Sequence, residues 1–297
     1  NNSISTGANS TGQYSFYGIL LGAGLQSSAS VTNNTISINM SASSTPQAIY
    51  AINSQIGYYG ATNTVNISNN TIANCTFPTS NTSSFYGIYN PTTYNGPGTV
   101  NLTNNILHDI SMGGSGSLYG LDGETGLAVN ISNNTLYNLA NNGNGYLFAL
   151  KSYSGTTNVY NNIVHDLTIG SGSNALYGLY EAGYTSIENY YNNQFYNMFH
   201  NGNGAVYGMF MNTTTGTRLV YSNLIHSLAS AGGIVCGMQH QSSTPSVYRN
   251  TIYNLTSTTA TGQVTGIHFY SGTNAIAYNN YISDLKTPAA TGTNAVC

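Results

Sequence analysis

Several of the few charged side chains of this sequence are expected to meet in one region, where they suggest polysaccharide chemistry. Charged residues make up 4% of the 297 residues. The sequence consists of repeats of roughly 30 residues, and each repeat is expected to form one coil of a stacked fold. Alignment of these repeats predicts that Asp122 and Lys151 lie on adjacent coils, with Glu124 and Glu181 nearby. Asp122 and Glu181 would be two coils, roughly 9–10 Å, apart. Inverting glycosidases hold their two carboxyl groups about 6.5–9.5 Å apart. These four residues are therefore the candidate catalytic set of one hypothesis.

The simpler interpretation is a salt bridge on the surface. Asp122 and Lys151 would then form an exposed pair between coils, worth at most about 1 kcal/mol. We favour this interpretation, which predicts no catalytic site. Loss of polysaccharide turnover in an Asp122→Asn variant would favour the hydrolytic alternative.

The histidines do not predict a metal site. His108, His165 and His226 occupy the same repeat position two coils apart, so their rings should lie roughly 9–10 Å from each other. Two imidazoles on one ion must lie within about 4 Å of each other, given metal–nitrogen bonds near 2.1 Å. Asp109 and Asp166 occupy a slot that elsewhere holds Asn and are predicted to be turn residues. We expect neither a metal nor a cofactor.

The charge balance also excludes some partners. The chain has four basic residues and a net charge of −3, so a phosphate-binding surface for nucleic acid is not expected. Neither Arg218 nor Arg249 has an acidic cluster beside it in the sequence. No apolar run reaches the 18 or more residues of a membrane-spanning helix, so no membrane span is expected.

A repeated pair of residues, usually Asn-Asn, organises the whole chain. The pair recurs roughly every 30 residues, which is typical of a solenoid. Its second residue is always Asn, at Asn34, Asn70, Asn105, Asn134, Asn162, Asn193, Asn223, Asn250 and Asn280. Asn tolerates the left-handed backbone of a sharp corner, and its amide can form ladders between stacked coils. We expect the second Asn at the corner and the first in a ladder.

Apolar residues keep fixed positions relative to this pair. Position −3 from the second Asn runs from Val31 to Ala277, and position +2 runs from Ile36 to Ile282. Position +5 is apolar except at Asn39. Such columns indicate short strands stacked in register, coil over coil.

The corner pair and a second block, for example Tyr86-Gly87-Ile88, resemble the right-handed parallel β-helix proteins of the pectate-lyase-like superfamily. The resemblance covers nearly the whole chain and is greatest to repeat-rich β-helices of secreted bacterial surface proteins. It implies an all-β, right-handed parallel β-helix of nine to ten coils. Pectate lyases use calcium-binding Asp clusters, and polygalacturonase-type enzymes carry Asn-Thr-Asp and Gly-His-Gly blocks. None of these signatures occurs in the sequence.

The expected function is that of a structural or adhesive protein, a stalk or filament subunit at the cell surface. A glycan-binding or polysaccharide-active β-helix is the alternative, with surface glycans as ligands. The single solenoid segment, 1–297, should begin and end within a coil, because Asn1-Asn2 already resembles a corner and Val296-Cys297 resembles a coil opening. We therefore expect further coils or end-to-end self-association.

Overall fold

The computed structural model describes residues 3–8, 14–22, 28–41, 46–56, 63–91, 98–124, 127–153, 155–183, 187–213, 216–241, 244–272 and 274–291. It is a parallel β-solenoid whose described residues form strands, turns and loops and no helix. The predicted openings of the first and last coils, at Asn1-Asn2 and Val296-Cys297, lie outside the described residues. The right-handed sense of the coil stays a prediction.

Each coil contributes one strand to each of three parallel sheets, A, B and C. Within the described residues the sheets contain ten, nine and nine strands. Sheet A comprises β1 (Ser3–Ala8), β4 (Thr35–Met40), β7 (Thr71–Phe77), β10 (Ile106–Met112), β13 (Thr135–Asn141), β16 (Ile163–Ile169), β19 (Gln194–His200), β22 (Leu224–Ser230), β25 (Thr251–Ser257) and β28 (Tyr281–Lys286). Sheet B comprises β2 (Phe16–Leu21), β5 (Ala48–Ser54), β8 (Ser84–Asn90), β11 (Leu118–Gly123), β14 (Leu147–Ser152), β17 (Leu176–Glu181), β20 (Val206–Met211), β23 (Val235–Gln241) and β26 (Val264–Ser271). Sheet C comprises β3 (Ala29–Thr32), β6 (Thr64–Ser68), β9 (Thr99–Thr103), β12 (Ala128–Ser132), β15 (Thr156–Tyr160), β18 (Ile187–Tyr191), β21 (Thr217–Tyr221), β24 (Thr244–Tyr248) and β27 (Ile276–Tyr278).

The predicted apolar columns fill the interior. Side chains at positions −3 and +2 are buried in coil after coil, and the exceptions, Ala277 and Ile282, lie in the last described coil. Asn39 does not interrupt the column at position +5, because the strand register shifts there. Asn39 is exposed, and the fully buried Ile38 takes its place beside Cys75. The core is therefore continuous along the axis.

The predicted roles of the two corner residues are reversed. The second Asn of each pair is not left-handed. The first residue has a left-handed backbone with φ of 55–58°, at Asn33, Asn69, Asn104, Asn133, Asn161, Asn192, Ser222, Arg249 and Asn279. The physical reason is that the sharp turn at the first residue points the next side chain inward, so the second Asn is the one that stacks.

A second left-handed column confirms the turn assignment of the two aspartates. Asp109 and Asp166 have φ of 54° and 55°, and Asn, Ser or Asp occupies the same slot in neighbouring coils. The bend lets residues on both sides of it point into the core, as Leu107 and Ile110 do. These two corners in each coil fix which side chains face the core and which face outward.

Candidate functional site

The inner asparagine ladder satisfies the side-chain hydrogen-bonding groups of its interior members. The nine second asparagines stack in one line, and each Nδ2 donates to the Oδ1 of the next over 2.9–3.1 Å. Asn162 also donates to Ile131 O at 2.9 Å, and its Oδ1 accepts Asn134 N at 3.0 Å. A carboxamide offers two donors and two lone pairs, so this side chain has its full complement of partners. An asparagine ladder is therefore present, as expected, but the second residue of each pair forms it, whereas the first residue was expected to form it.

A second amide ladder runs along the outer face of sheet C. Its Nδ2–Oδ1 distances are 2.8–2.9 Å, and its members are Asn66, Asn101, Asn130, Asn158 and Asn189. The sequence signal for it is an Asn at position −4 from the second corner Asn, between two inward positions. We did not predict this ladder.

Three columns of aromatic rings stack along the solenoid. In sheet C, Tyr191 lies between Tyr160 and Tyr221, with ring centroids 4.9 and 5.0 Å away and planes within 3°. Sheet A carries alternating His and Tyr rings 4.8–5.3 Å apart, and sheet B carries a column that begins at Tyr17 and Tyr50. Because both faces of an inner ring are covered by its neighbours, only ring edges and hydroxyl groups face solvent.

The histidines of sheet A belong to these stacks. His165 Nδ1 lies 2.6 Å from Asp166 Oδ2, and Asn197 of the next coil donates to Asp166 Oδ1 at 3.1 Å. His108 and Asp109 form the same arrangement, and the hydrogen bonds from Asn138 and His108 lower the pKa of Asp109. Within the described residues, no three His, Cys, Asp or Glu side chains lie close enough to hold a metal ion.

The outer charge cluster consists of Asp122, Glu124 and Lys151. Lys151 Nζ lies 3.1 Å from Asp122 Oδ2, contacts Glu124 Oε1, and lies 5.6 Å from the centroid of the Tyr119 ring. The predicted pair between adjacent coils is therefore formed. The predicted exposure is wrong, because the Asp122 side chain is 0% exposed and that of Lys151 is 16% exposed. Rings such as Tyr89 surround the charges on the outer face of sheet B.

Burial dominates the electrostatics of this cluster. Desolvation raises the pKa of Asp122 to about 8, although Lys151 opposes the shift, and the adjacent Glu124 adds to it. Burial alone would lower the pKa of Lys151, but the two carboxyl groups raise it overall. Asp122 Oδ1 is buried without a hydrogen-bond donor. Near neutral pH, Asp122 is therefore mostly a neutral carboxylic acid beside a cationic amine.

Glu181 belongs to a different cluster, on the inner face of sheet B. Glu181 occupies the same register position in sheet B as Gly123. A side chain at Gly123 would point at the core residues Val129 and Leu102. Asp122 faces outward, so Asp122 and Glu181 do not share one site. The four residues of the hydrolytic hypothesis are divided between two clusters.

Arg218 is the centre of this inner charge cluster. Its guanidinium lies 2.6 Å from Glu181 Oε2, contacts Glu188 Oε2, and donates to Thr213 O at 2.8 Å. The sequence beside Arg218 contains no acidic cluster, and both of its carboxyl partners come from the preceding coil. The signal was present at position −5 from the second Asn, where Val129 is followed in later coils by Thr157, Glu188 and Arg218. Position −5 faces inward because position −3 does.

The inner cluster is largely closed to solvent. Burial and the neighbouring Glu188 carboxylate raise the pKa of Glu181 to about 7, against the effect of Arg218. His240 is also fully buried, and burial together with Arg218 lowers its pKa to about 3. Neither ring nitrogen of His240 has a hydrogen-bond partner. Because Arg218, Glu181 and Glu188 are buried, the site cannot admit a polymeric substrate.

A scan against protein-family models, a search of curated proteins and a search of solved structures each gave no match. The likeness to pectate-lyase-like proteins therefore rests on the corner and strand patterns alone. No helix in the described part of the chain is long and apolar enough to cross a membrane.

Proposed function

We propose that this chain is an extracellular structural or adhesive protein, a β-solenoid stalk or filament subunit at the cell surface. One observation carries the proposal: the inner asparagine ladder continues without a break through nine coils. Such a ladder makes a stiff rod, because every coil is hydrogen-bonded to the next by side chains as well as backbone. The outer surface supports the same role, since the faces of its stacked rings are occupied by other rings.

Apolar side chains left uncovered on the last described coil support the proposed end-to-end self-association. Ile282 is 42% exposed and Tyr278 is 46% exposed, whereas the equivalent residues of inner coils are covered by a following coil. Uncovered strand edges recruit other strands. A second copy stacked on this end would cover these side chains and extend the inner asparagine ladder. Contacts between unlike ends do not close, so copies joined in this way give filaments.

Electron microscopy and light scattering of the purified chain test the filament role. Nine coils span roughly 45 Å at the usual strand spacing, so assembly should give rods many times longer than that. An Ile282→Lys variant should reduce the assembly, and Thr256→Lys on the side of the rod is the matched control. Monodisperse short rods at all concentrations would contradict self-assembly. Antibody labelling of intact cells tests the extracellular location.

A glycan-binding or polysaccharide-active protein is the second candidate. The observation that favours it is the outer charge cluster, where Asp122, Glu124 and Lys151 lie among tyrosine rings. Turnover of an acidic polysaccharide that disappears in Asp122→Asn would establish this alternative. Binding of a glycan without turnover, lost in Tyr89→Ala, would establish the adhesive form of it.

A further inference from the structure

The outer charge cluster has the composition of a reaction centre for amide formation. It brings a primary amine, Lys151, against the carboxyl group of Asp122, with a second carboxyl group, Glu124, touching both. We propose that Lys151 and Asp122 condense to an intramolecular isopeptide bond that joins β14 to β11, with Glu124 as the proton carrier. This inference does not depend on the proposed stalk function.

The geometry holds the reacting groups together. Lys151 Nζ lies 3.1 Å from Asp122 Oδ2, so the carboxyl carbon is one bond beyond an atom already in contact. Both residues lie on neighbouring strands of one rigid sheet, in direct register. Groups held in this way react with effective concentrations of about 10⁵ M or more when they are well aligned.

The surroundings favour the neutral form of Asp122, which is the form that an amine can attack. In water an amine and a carboxylic acid exchange a proton and become an unreactive ion pair. Here the Asp122 side chain is completely buried, and Tyr86, Tyr89 and Tyr119 lie close enough to interact electrostatically with its carboxyl group. Its Oδ1 has no donor to stabilise an anion. Burial of this kind disfavours charge, which keeps the carboxyl group in the acid form that an amine can attack.

Lys151, Asp122 and Glu124 together supply and accept every proton that the reaction moves. The Glu124 carboxylate takes one proton from the Lys151 ammonium, and the free Nζ attacks Cγ of protonated Asp122. The Nζ–Cγ bond forms and the Cγ–OH bond breaks. The hydroxyl group leaves as water with a second proton from Nζ, relayed by Glu124. The amide keeps the third proton, Glu124 ends protonated, and no oxidant or other co-reactant is needed.

The chain contains its own control pair. Lys286 Nζ lies 2.7 Å from Asp284 Oδ1, closer than the corresponding atoms of Lys151 and Asp122, but these side chains are 53% and 44% exposed. Water reaches both side chains of this pair, whereas the Asp122 side chain is fully buried, so the pair should not condense. The inner cluster is a second control, because the guanidinium of Arg218 stays protonated in proteins and is not an effective nucleophile.

Intact mass spectrometry of the denatured full chain tests the proposal. The expected mass is that of the sequence less one water molecule, with residues 122 and 151 in one cross-linked peptide. Trypsin should cut after Lys286 and fail to cut after Lys151, and these are the only two lysines in the chain. A folded wild-type chain with its full mass and normal cleavage after Lys151 would overturn the proposal. So would a lost water that maps to any other pair of residues.

Three variants separate the chemistry from the folding. Glu124→Gln keeps a polar partner for Lys151 but removes the proton carrier, so the folded variant should retain its full mass. Lys151→Arg keeps the positive charge and should also retain the full mass. Asp122→Asn should lose ammonia in place of water at the same two residues. A Glu124→Gln variant that cross-links as fast as wild type would refute the role of Glu124.

Discussion

The inner charge cluster, inside the solenoid, and the outer charge cluster, on the outer face of sheet B, differ in how their buried charged groups are hydrogen-bonded. On the inner face Arg218 binds Glu181 and Glu188 with several hydrogen bonds, and Thr213 completes the set. On the outer face Lys151 binds Asp122 and Glu124, but Asp122 Oδ1 has no donor. Arg offers five donors in a rigid fork, whereas Lys offers three on a flexible stem. The inner cluster is therefore suited to holding the fold, and the outer cluster leaves a carboxyl group open to reaction.

The largest expected effect is the loss of Arg218. An Arg218→Met variant leaves two carboxylates buried without their cation and should lower the free energy of unfolding by about 3–5 kcal/mol. Chemical denaturation measures it. Arg249→Met, at an exposed corner, is the matched control and should change stability little. A loss below about 1 kcal/mol for Arg218→Met would show that the inner cluster is not structural.

The two amide ladders allow the same comparison without charge. Asn162→Ala removes a side chain that satisfies groups of Asn134, Ile131 and Asn193, all shielded from water. Each buried group left without a partner costs about 1–3 kcal/mol, so a total near 3 kcal/mol is expected. Asn158→Ala, in the outer ladder, should cost about 1 kcal/mol or less because water replaces the lost bonds. Equal losses, measured by urea denaturation, would contradict the distinction between the two faces.

The pH dependence of stability reports on the inner face through His240. Burial lowers the pKa of His240 to about 3, below the ordinary value of 6.5. The unfolded chain therefore binds a proton between these two values while the folded chain does not, so stability falls as the pH drops from 6.5 towards 3. His240→Leu should remove this loss, which amounts to roughly 2–3 kcal/mol between pH 7 and pH 4.

Glu181 has the opposite sign, because its pKa is raised and its contribution is lost as pH rises towards 7. The comparison of wild type with His240→Leu at each pH cancels this contribution. If both proteins lose the same stability on acidification, His240 is protonated in the folded state.

The smallest effect is expected for the exposed pair at the last strand. Lys286→Ala removes a contact to Asp284 between side chains that are about half exposed. Such pairs contribute about 0–1 kcal/mol, so the change should be close to the error of a denaturation experiment. Lys151→Ala should cost clearly more, because it leaves Asp122 and Glu124 without their partner in a buried site. A similar result for both lysines would remove the distinction between surface and buried pairs.

The sequence by itself determined the repeat, the stacking of strands in register and the lines of residues along the axis. A fixed period places residue over residue, so the pairing of Asp122 with Lys151 and the single line of nine asparagines followed from spacing. The same arithmetic applied to position −5 would have placed Arg218 over Glu188. Contacts between neighbouring coils can therefore be predicted from the sequence, because they depend only on which residues are in register.

Only the tertiary structure decided which way each side chain points and how deeply it is buried. One left-handed residue at a corner reverses the alternation of inward and outward positions, so the ladder role passed from the first Asn to the second. The depth of Asp122 depends on rings contributed by neighbouring coils, which no local pattern around Asp122 encodes. Register is a property of the repeat, whereas burial is a property of the side chains that three or more coils bring together.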